Sequence, residues 1–488
     1  MSPPPTIETR LFLSGTFTLP HSPSTFPLFN PATGEHVADV HEAGLEDVDK
    51  AVKAAKEAQP AWGKLSGAER ASRLEKLASL LERDGEKIGQ LDAISMGRPV
   101  SGQLALDIPV SSSKLRFDAS LAHSLVGQSS FLSGDGTLNM VWHQPYGVTA
   151  AVLPFNVPTI MWVSKVGPAV AAGNAIIVKS SEKSPLGALH LASLTIEAGF
   201  PPGIIQVISG RGDTGRFLAE HMEIRKISFT GSTRTGRLIA QAAAKSNLKA
   251  VALELGGKSP TIIFEDADLN LAVPATAFSI SWNSGQICMA NSRLYVHTSI
   301  YPSFLSRFKS AFSTYKHGDP LSLSTTMGPQ ADDVQGKAVL GFIERGRKEG
   351  GKVEMGGERV GTEGYFIQPT IFTDVSEDAD LNKNEVFGPV VGGYRVIHQF
   401  EDEEDVVRKA NDSEFGLYAA VFTQDIDRAI RISKALEAGT VAINTSSPAG
   451  ASEIPFGGFK SSGIGREGGL DSLKRWTEEK SVVLKYKA

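Results

Sequence analysis

Three side chains and one glycine-rich turn carry the first chemical suggestions in this chain. Cys288 stands in Asn283-Ser284-Gly285-Gln286-Ile287-Cys288-Met289-Ala290. A free cysteine commonly packs as a small hydrophobe. The polar run before this one is unusual for plain core, and Gly285 lets the backbone approach a ligand closely. As a nucleophile the thiol, which titrates at about 8.5 when free, needs its proton removed or its pKa lowered. Glu254, in Leu253-Glu254-Leu255-Gly256-Gly257-Lys258, closes an apolar run. A carboxylate there is either a solvated strand end, the commoner case, or a base held at the mouth of a sheet. Asn156 lies between Pro154 and Pro158, whose rings fix the local chain. Its amide can donate to a developing oxyanion or satisfy its own loop. The turn is Ser228-Phe229-Thr230-Gly231-Ser232-Thr233-Arg234-Thr235-Gly236. Strand-to-helix turns of this kind cradle phosphates through backbone N–H groups. It is not G-x-G-x-x-G. It has P-loop glycine spacing, but Arg237-Leu238 stands where Lys-Ser/Thr belongs.

These residues fall at the joints of a regular pattern. Apolar runs at 148–153, 175–178, 204–208, 226–229 and 251–253 alternate with helix-like segments at 158–172, 185–198, 213–221 and 233–245. Strand, helix, strand at this spacing predicts parallel pairing through crossovers. Such sheets are covered on both faces and bind ligands at the carboxyl ends of their strands. A second alternating block spans about 292–444, with runs at 294–296, 370–372, 390–396, 419–422 and 441–443 and a helix at 425–437 closed by Gly439. Two α/β units with a cleft between them are expected. Upstream, Val48, Val52 and Ala55 face one way and Lys50, Lys53 and Lys56 the other, a helical spacing. Ser66 and Glu69 form a capping-box pair before a helix striped by Leu74, Leu77 and Leu81. The first thirty residues, rich in Pro, Ser and Thr with Phe12, Phe17 and Phe26, read as an extended arm laid on the main body.

Bulk properties narrow the function classes. A chain of 488 residues holds two or three structural units. Its net charge of -5 gives no electrostatic case for nucleic acid or an anionic membrane surface. The most apolar stretch, 150–178, is interrupted by Pro154, Asn156, Pro158, Lys165 and Asn174, which excludes a lipid span there. Cys288 is the sole cysteine, so no intrachain disulfide forms, as suits a reducing compartment. The start, Met1-Ser2-Pro3-Pro4-Pro5, lacks a secretory layout, and the last residues are no peroxisomal address. A cytoplasmic protein is expected. The histidines show no metal-ligand spacing, and no metal is expected.

Taken in order, the motifs resemble those of the aldehyde dehydrogenase superfamily along nearly the whole chain. Pro-x-Asn falls at Asn156, Lys-x-x-Glu at Lys179 and Glu182, and Phe-Thr-Gly-Ser at 229–232. Glu-Leu-Gly-Gly-Lys follows at 254–258 and Gly-Gln-x-Cys at 285–288, with Glu254 and Cys288 34 residues apart, as in the family. Glu-x-Phe-Gly-Pro stands at 385–389 and Pro-Phe-Gly-Gly-x-Lys-x-Ser-Gly at 455–463. The resemblance implies an α/β fold with a Rossmann-type coenzyme domain (1–124 and 146–254), an α/β catalytic domain (255–446) and a small β oligomerisation element (125–145 and 470–488). It implies Cys288 as nucleophile, Glu254 as base, Asn156 with the Cys288 N–H as oxyanion hole, and Lys165 in proton movement near the base. It implies NAD as coenzyme, with NADP as the other candidate. Lys179 and Glu182 would hold the adenosine ribose. Phe229, Gly231 and Ser232 would form the phosphate turn. Pro154, Phe155, Leu255, Gly256, Glu385 and Phe387 would complete the coenzyme site.

Departures from the pattern bear on the substrate. Phe155 stands where the better-known Pro-x-Asn motif has Trp, Val157 where Phe is usual, and Ser164 at a Trp position. Gly450 replaces another aromatic. With Met161, Ile287, Met289 and Phe456 these positions are expected to line the aldehyde pocket, and Trp162 and Phe459 are further candidate apolar surfaces. Smaller walls favour an aromatic or bulky aldehyde over acetaldehyde. The Pro-Phe-Asn and Gly-Gln-Ile-Cys-Met variants look like those of benzaldehyde, salicylaldehyde and vanillin dehydrogenases. An aliphatic or semialdehyde substrate is the alternative. A CoA-acylating enzyme is disfavoured by Glu254, a cysteine hydrolase by the absence of a His partner, and a non-catalytic paralogue by the intact Cys288, Glu254 and Asn156. The oligomerisation element implies a homodimer or homotetramer.

Overall fold

The computed structural model describes residues 6–131, 136–392, 398–448 and 452–486. The five apolar runs between 148 and 254 become strands Val148–Val152, Ala175–Lys179, Ile205–Ile208, Lys226–Thr230 and Ala250–Glu254, paired parallel throughout. Helices Pro158–Ala171, Pro185–Glu197, Gly212–Glu220 and Thr233–Lys245 supply the crossovers. In chain order the five strands lie 3-2-1-4-5 across the sheet. The order reverses between Val148–Val152 and Lys226–Thr230, and a crevice opens at the carboxyl ends of such a switch point. Asn156 follows the first of these strands and Gly231 the second.

The N-terminal segment is more than an arm. Leu11–Leu13 and Thr16–Thr18 form a hairpin that extends the large sheet, antiparallel to Ile205–Ile208, with Phe12 opposite Val207. Phe12 and Phe26 are buried, the latter on a second hairpin of Thr25–Phe29 with His36–His41. Pairing covers a sheet edge that would otherwise offer unsatisfied backbone groups. The opposite edge is closed by Gly463–Ile464, antiparallel to Ala250–Glu254. The helices Leu45–Gly63 and Gly67–Arg83 lie where the spacing predicts. The second begins at the Ser66–Glu69 box, in which the Ser66 N–H donates to the Glu69 carboxylate at 2.8 Å.

A second sheet holds Asn291–His297, Ser259–Ile263, Tyr418–Phe422 and Thr440–Ile443 in parallel, with His398–Phe400 at its edge. Its central strand, Ser259–Ile263, is absent from the sequence pattern because Pro260 argues against an interior strand. The pairing shifts register between Ser259 and Pro260, and this irregularity accommodates the missing N–H. The run expected at 390–396 is a strand over Val390–Val391, and residues 393–396 lie outside the described residues. The helix expected at 425–437 covers Ile426–Ala435 and ends at an extended Leu436. Gly439 does not cap it. It lies against the Gly457 carbonyl, where an added Cβ would come within 1.7 Å. A third sheet pairs Thr477–Lys485 with Thr137–Pro145 and that strand with Gln128–Ser130, all antiparallel. Among the described residues no helix is long and apolar enough to cross a membrane.

Candidate active site

The thiol is delivered by a strained turn. After the helix Leu269–Ser281, residues Asn283, Ser284 and Gly285 take φ of 50°, 54° and 73° in succession, a conformation costly for side-chain-bearing residues. Tertiary hydrogen bonds hold it. Asn283 Nδ2 donates to the Asn156 carbonyl at 2.8 Å, Ser284 Oγ to the Gly328 carbonyl at 2.6 Å, and Gln286 Oε1 accepts from the Ala331 N–H at 2.9 Å. Gly285 is required, since an added Cβ would meet the Gly388 carbonyl oxygen at 2.0 Å. Cys288 emerges half-buried three residues on.

Glu254 ends its strand opposite Thr230 on one side and Gly463 on the other. Both carboxyl oxygens are buried and accept no hydrogen bond among the described residues. Burial, then the nearby Glu467 carboxylate, pushes its pKa up to about 8, against pulls from the Cys288 thiol and Lys165. Burial and the neighbouring Glu254 likewise raise the Cys288 thiol well above its usual value. Asn156 Nδ2 donates to the Gln286 carbonyl at 2.9 Å. A primary amide has two N–H bonds, so one remains for a ligand.

Lys165 is fully buried on Pro158–Ala171 and donates to Thr230 Oγ1 at 2.8 Å. It also makes an ion pair with Glu467, which accepts from Ser228 Oγ at 3.3 Å. Glu467 carries no motif that marks it in the sequence. Its available signal was an acidic residue in a glycine run four positions beyond Gly463.

At the other end of the same cavity, Lys179 is buried, and burial lowers its pKa. Its Nζ donates to the Ser180 carbonyl at 3.0 Å and lies 4.0 Å from the half-exposed Glu182. Ser232 caps Thr233–Lys245, accepting from the Thr235 N–H at 3.3 Å. The Gly231 N–H donates to the Glu254 carbonyl at 3.1 Å, which ties the glycine turn to the base. Glu385 accepts from the Gly257 N–H at 3.1 Å, and burial raises it to about 7. Phe387 (φ 56°) stands edge-on to Phe155 with ring centroids 5.7 Å apart. Gln335, missed in the sequence, fixes the Phe387 carbonyl at 2.8 Å.

One cavity of about 1220 Å³ contains both ends. Cys288, Glu254, Asn156, Lys179, Glu182 and Ser232 line it, as do Pro154, Phe155, Phe229, Gly231, Glu385 and Phe387. Leu255 and Gly256 do not. Leu255 packs under Gly236, where an added Cβ would be 2.5 Å from its methyl, and Gly256 backs Glu385. Lys165 also lies behind the wall. Of the expected aldehyde-pocket residues, Val157, Met161, Ser164, Ile287, Met289 and Phe456 line the cavity. Gly450 lies outside the described residues. Trp162 is fully buried in the core, and Phe459 is exposed beneath the Arg466 guanidinium at 5.4 Å, so neither is a pocket wall. Leu106, Val110, Ile160, Trp282 and Ile454 complete that end. They come from four separate places in the chain, with Leu106 and Val110 one helical turn apart.

A doubly wound sheet open at its switch point, with a thiol and a buried carboxyl in the same cavity, is the plan of a nucleotide-dependent oxidoreductase. The chain belongs to the aldehyde dehydrogenase family, whose model matches residues 17–482. Aldehyde dehydrogenase 1A1 of Bos taurus is 43% identical over 98% of this chain and 95% of its own length. Among solved structures, the NAD+ complex of an aldehyde dehydrogenase from Bacillus cereus superposes with a TM-score of 0.95 at 41% identity, covering 98% of this chain and 97% of that one. P. syringae AldA indole-3-acetaldehyde dehydrogenase, solved with NAD+ and IAA, gives 0.95 at 37% identity, covering 99% and 97%. The protein is an NAD(P)-dependent aldehyde dehydrogenase that oxidises aldehydes to acids.

Proposed function

We propose that the chain uses NAD to oxidise an aromatic or otherwise bulky aldehyde to its acid, with Cys288 as nucleophile and Glu254 as hydrolytic base. The observation that carries the mechanism is the buried Glu254 carboxyl, which accepts no N–H and faces the Cys288 thiol on the shared wall. A buried carboxyl without such partners is costly, and a base awaiting a proton from water accounts for it. Cys288 gives up its proton to water as the thiolate adds to the aldehyde carbon. The free N–H of Asn156 and the Cys288 N–H receive the resulting oxyanion. NAD, when bound, supplies the hydride acceptor. Cys288 is then left in a thioester, and Glu254, as carboxylate, withdraws a proton from the water that releases the acid. Lys165 and Glu467 relay the proton from behind Glu254. No histidine lines the cavity among the described residues, which disfavours a cysteine hydrolase.

The coenzyme end suits a dinucleotide. The backbone of the 231–232 turn meets a helix N-terminus at the switch point, and Glu182 and Lys179 stand beside it for the adenosine ribose. Glu182 disfavours a 2′-phosphate. Lys183 pairs with Asp332 at 2.7 Å and Arg211 with Glu42 at 2.6 Å, so neither cation is free to offset that charge. Two structural relatives were solved with NAD+. For the aldehyde, Val157 and Ser164 leave width where larger side chains would narrow the cavity, and Met161 and Met289 can adapt to a planar guest.

We assign coenzyme binding to 1–124 and 146–254, catalysis to 255–446, and assembly as a homodimer or homotetramer to 125–145 and 470–488. Val483 is 70% exposed on the last strand, a surface suited to a second copy. A lone nucleophilic thiol suits the reducing cytosol. A coupled NADH assay over benzaldehyde, a hydroxybenzaldehyde, hexanal and acetaldehyde tests the function. Ring substrates are expected to lead, and acetaldehyde in first place would refute the substrate reading. Light scattering tests the assembly, where a monomeric mass would contradict it.

A further inference from the structure

The aldehyde end of the cavity holds a cation that no step above uses. Lys114 lies on the helix Ile108–Leu121 and lines the cavity with Val110, Ser164 and Ile454. Its ammonium reaches over the backbone at Gly468, where an added Cβ would come 3.3 Å from Nζ. Gly468 follows Glu467 directly, so Lys114 stands on the same side of the cavity as the Lys165–Glu467 pair. Among the described residues Nζ has no hydrogen-bond or ion-pair partner.

Neither neighbouring acid closes an ion pair with it. Glu467 is held by Lys165. Asp118, one turn further along the helix, accepts from Ser472 Oγ at 3.3 Å, and its other oxygen has no hydrogen-bond partner. Burial raises the Asp118 carboxyl to about 7 against the pull of the Lys114 ammonium one turn away, so Asp118 acts on Lys114 through space without forming an ion pair with it. Asp118 marks where this helix meets Pro158–Ala171, because an added Cβ at Gly167 would lie 2.4 Å from its Oδ2. Lys114 and Ser164 each sit about one turn before that contact, on the same helix faces. The small Ser164 therefore leaves Lys114 open to the cavity. Lys114 is half-buried at the rim of the cavity beside the exposed Val110 and Ile454, where an anionic ligand group can meet its ammonium.

We propose that Lys114 is a specificity determinant for aldehydes carrying a carboxylate at the end remote from the aldehyde carbon. This rests on the cavity being the aldehyde site. With the nearby Arg475 tied to the Gly468 carbonyl and Lys165 to Glu467, the single Lys114 ammonium on the cavity wall matches one carboxylate better than a phosphate dianion. Ser164 and Val157 give the width for the intervening skeleton, and Lys114 gives the far end a charge to meet.

The test is kcat/KM on two matched pairs, 4-carboxybenzaldehyde against its methyl ester and 6-oxohexanoate against hexanal. The carboxylate member is expected to lead in at least one pair by about tenfold. Lys114→Met should bring that ratio close to one, Lys114→Arg should keep it, and Lys114→Glu should invert it. If Lys114→Met does not fold, Lys114→Gln takes its place. Neutral members leading both pairs in the wild type, or a ratio unmoved in the Met variant, overturns the proposal. The two neutral members compared with each other read ring against chain separately, so failure of the size preference is distinguishable from failure of the charge preference.

Discussion

The two ends of the cavity are built on opposite principles. At the end we assign to the coenzyme, the candidate contacts are strand ends, a helix N-terminus and charged side chains of the first sheet, joined by Glu385 and Phe387 from the second unit, so most have a fixed backbone address. At the aldehyde end, the walls are apolar side chains drawn from two helices, a strained turn and the 452–456 segment, and their backbone positions specify little. The first design constrains residue identity tightly. The second is set by volume, with Lys114 the one charge given a role there, and it tolerates substitution that changes substrate without disturbing the reaction.

The sharpest way to break the contrast is at the thiol between the two ends. Cys288→Ala should lower turnover by several orders of magnitude while NAD affinity by fluorescence titration stays within about threefold, since the covalent bond is lost and the nucleotide contacts are not. Turnover within tenfold of wild type would remove Cys288 from the mechanism.

Glu254→Gln is expected to be next in size. Its amide cannot activate water, so stopped-flow should show an NADH burst followed by turnover reduced about a hundredfold or more. Loss of the burst itself would mean that Glu254 is also indispensable for activating the thiol. The wild-type pH profile belongs to the same test. A base held at about 8 is mostly protonated at pH 7 and ionises as pH rises, so kcat should climb between about pH 7 and 9. That limb should vanish in the Gln variant when deacylation is followed directly.

Smaller effects probe each end separately. At the coenzyme end, kcat/KM should favour NAD over NADP by about tenfold or more, and Glu182→Gln should shrink that ratio by removing the charge. A wild-type preference for NADP would count against the role given to Glu182. At the aldehyde end, Ser164→Trp should cut kcat/KM for benzaldehyde by about tenfold while sparing acetaldehyde, in line with 1–3 kcal/mol of discrimination from pocket contacts. Equal losses on both substrates would place Ser164 outside the aldehyde path.

The same contrast explains what was legible in the sequence. The parallel strands of the first sheet and their helices stand within a few residues of their expected bounds, because each buries an apolar run between turn signals. Cys288, Glu254 and Asn156 were legible as a set through their motifs, and the structure puts them on one cavity. Ser259–Ile263 was hidden by Pro260, whose cost is absorbed by a register shift no local pattern announces. Trp162 was open to either reading, since an aromatic on a helix gives no sign of which side it faces. Leu106, Val110 and Glu467 were not found, because they approach the site only through the packing of distant segments.

Gly463–Ile464 pairs beside Glu254, the Ser462 carbonyl accepts from the Leu255 N–H at 2.9 Å, and Glu467 reaches Lys165. The ribosome makes these residues some two hundred positions after the base they support. A nascent chain can assemble the parallel core of the first sheet long before that, yet Glu254 then sits on an open sheet edge with Lys165 lacking its acid. The surroundings of Glu254 are thus complete only once residues 462–467 have joined the first sheet.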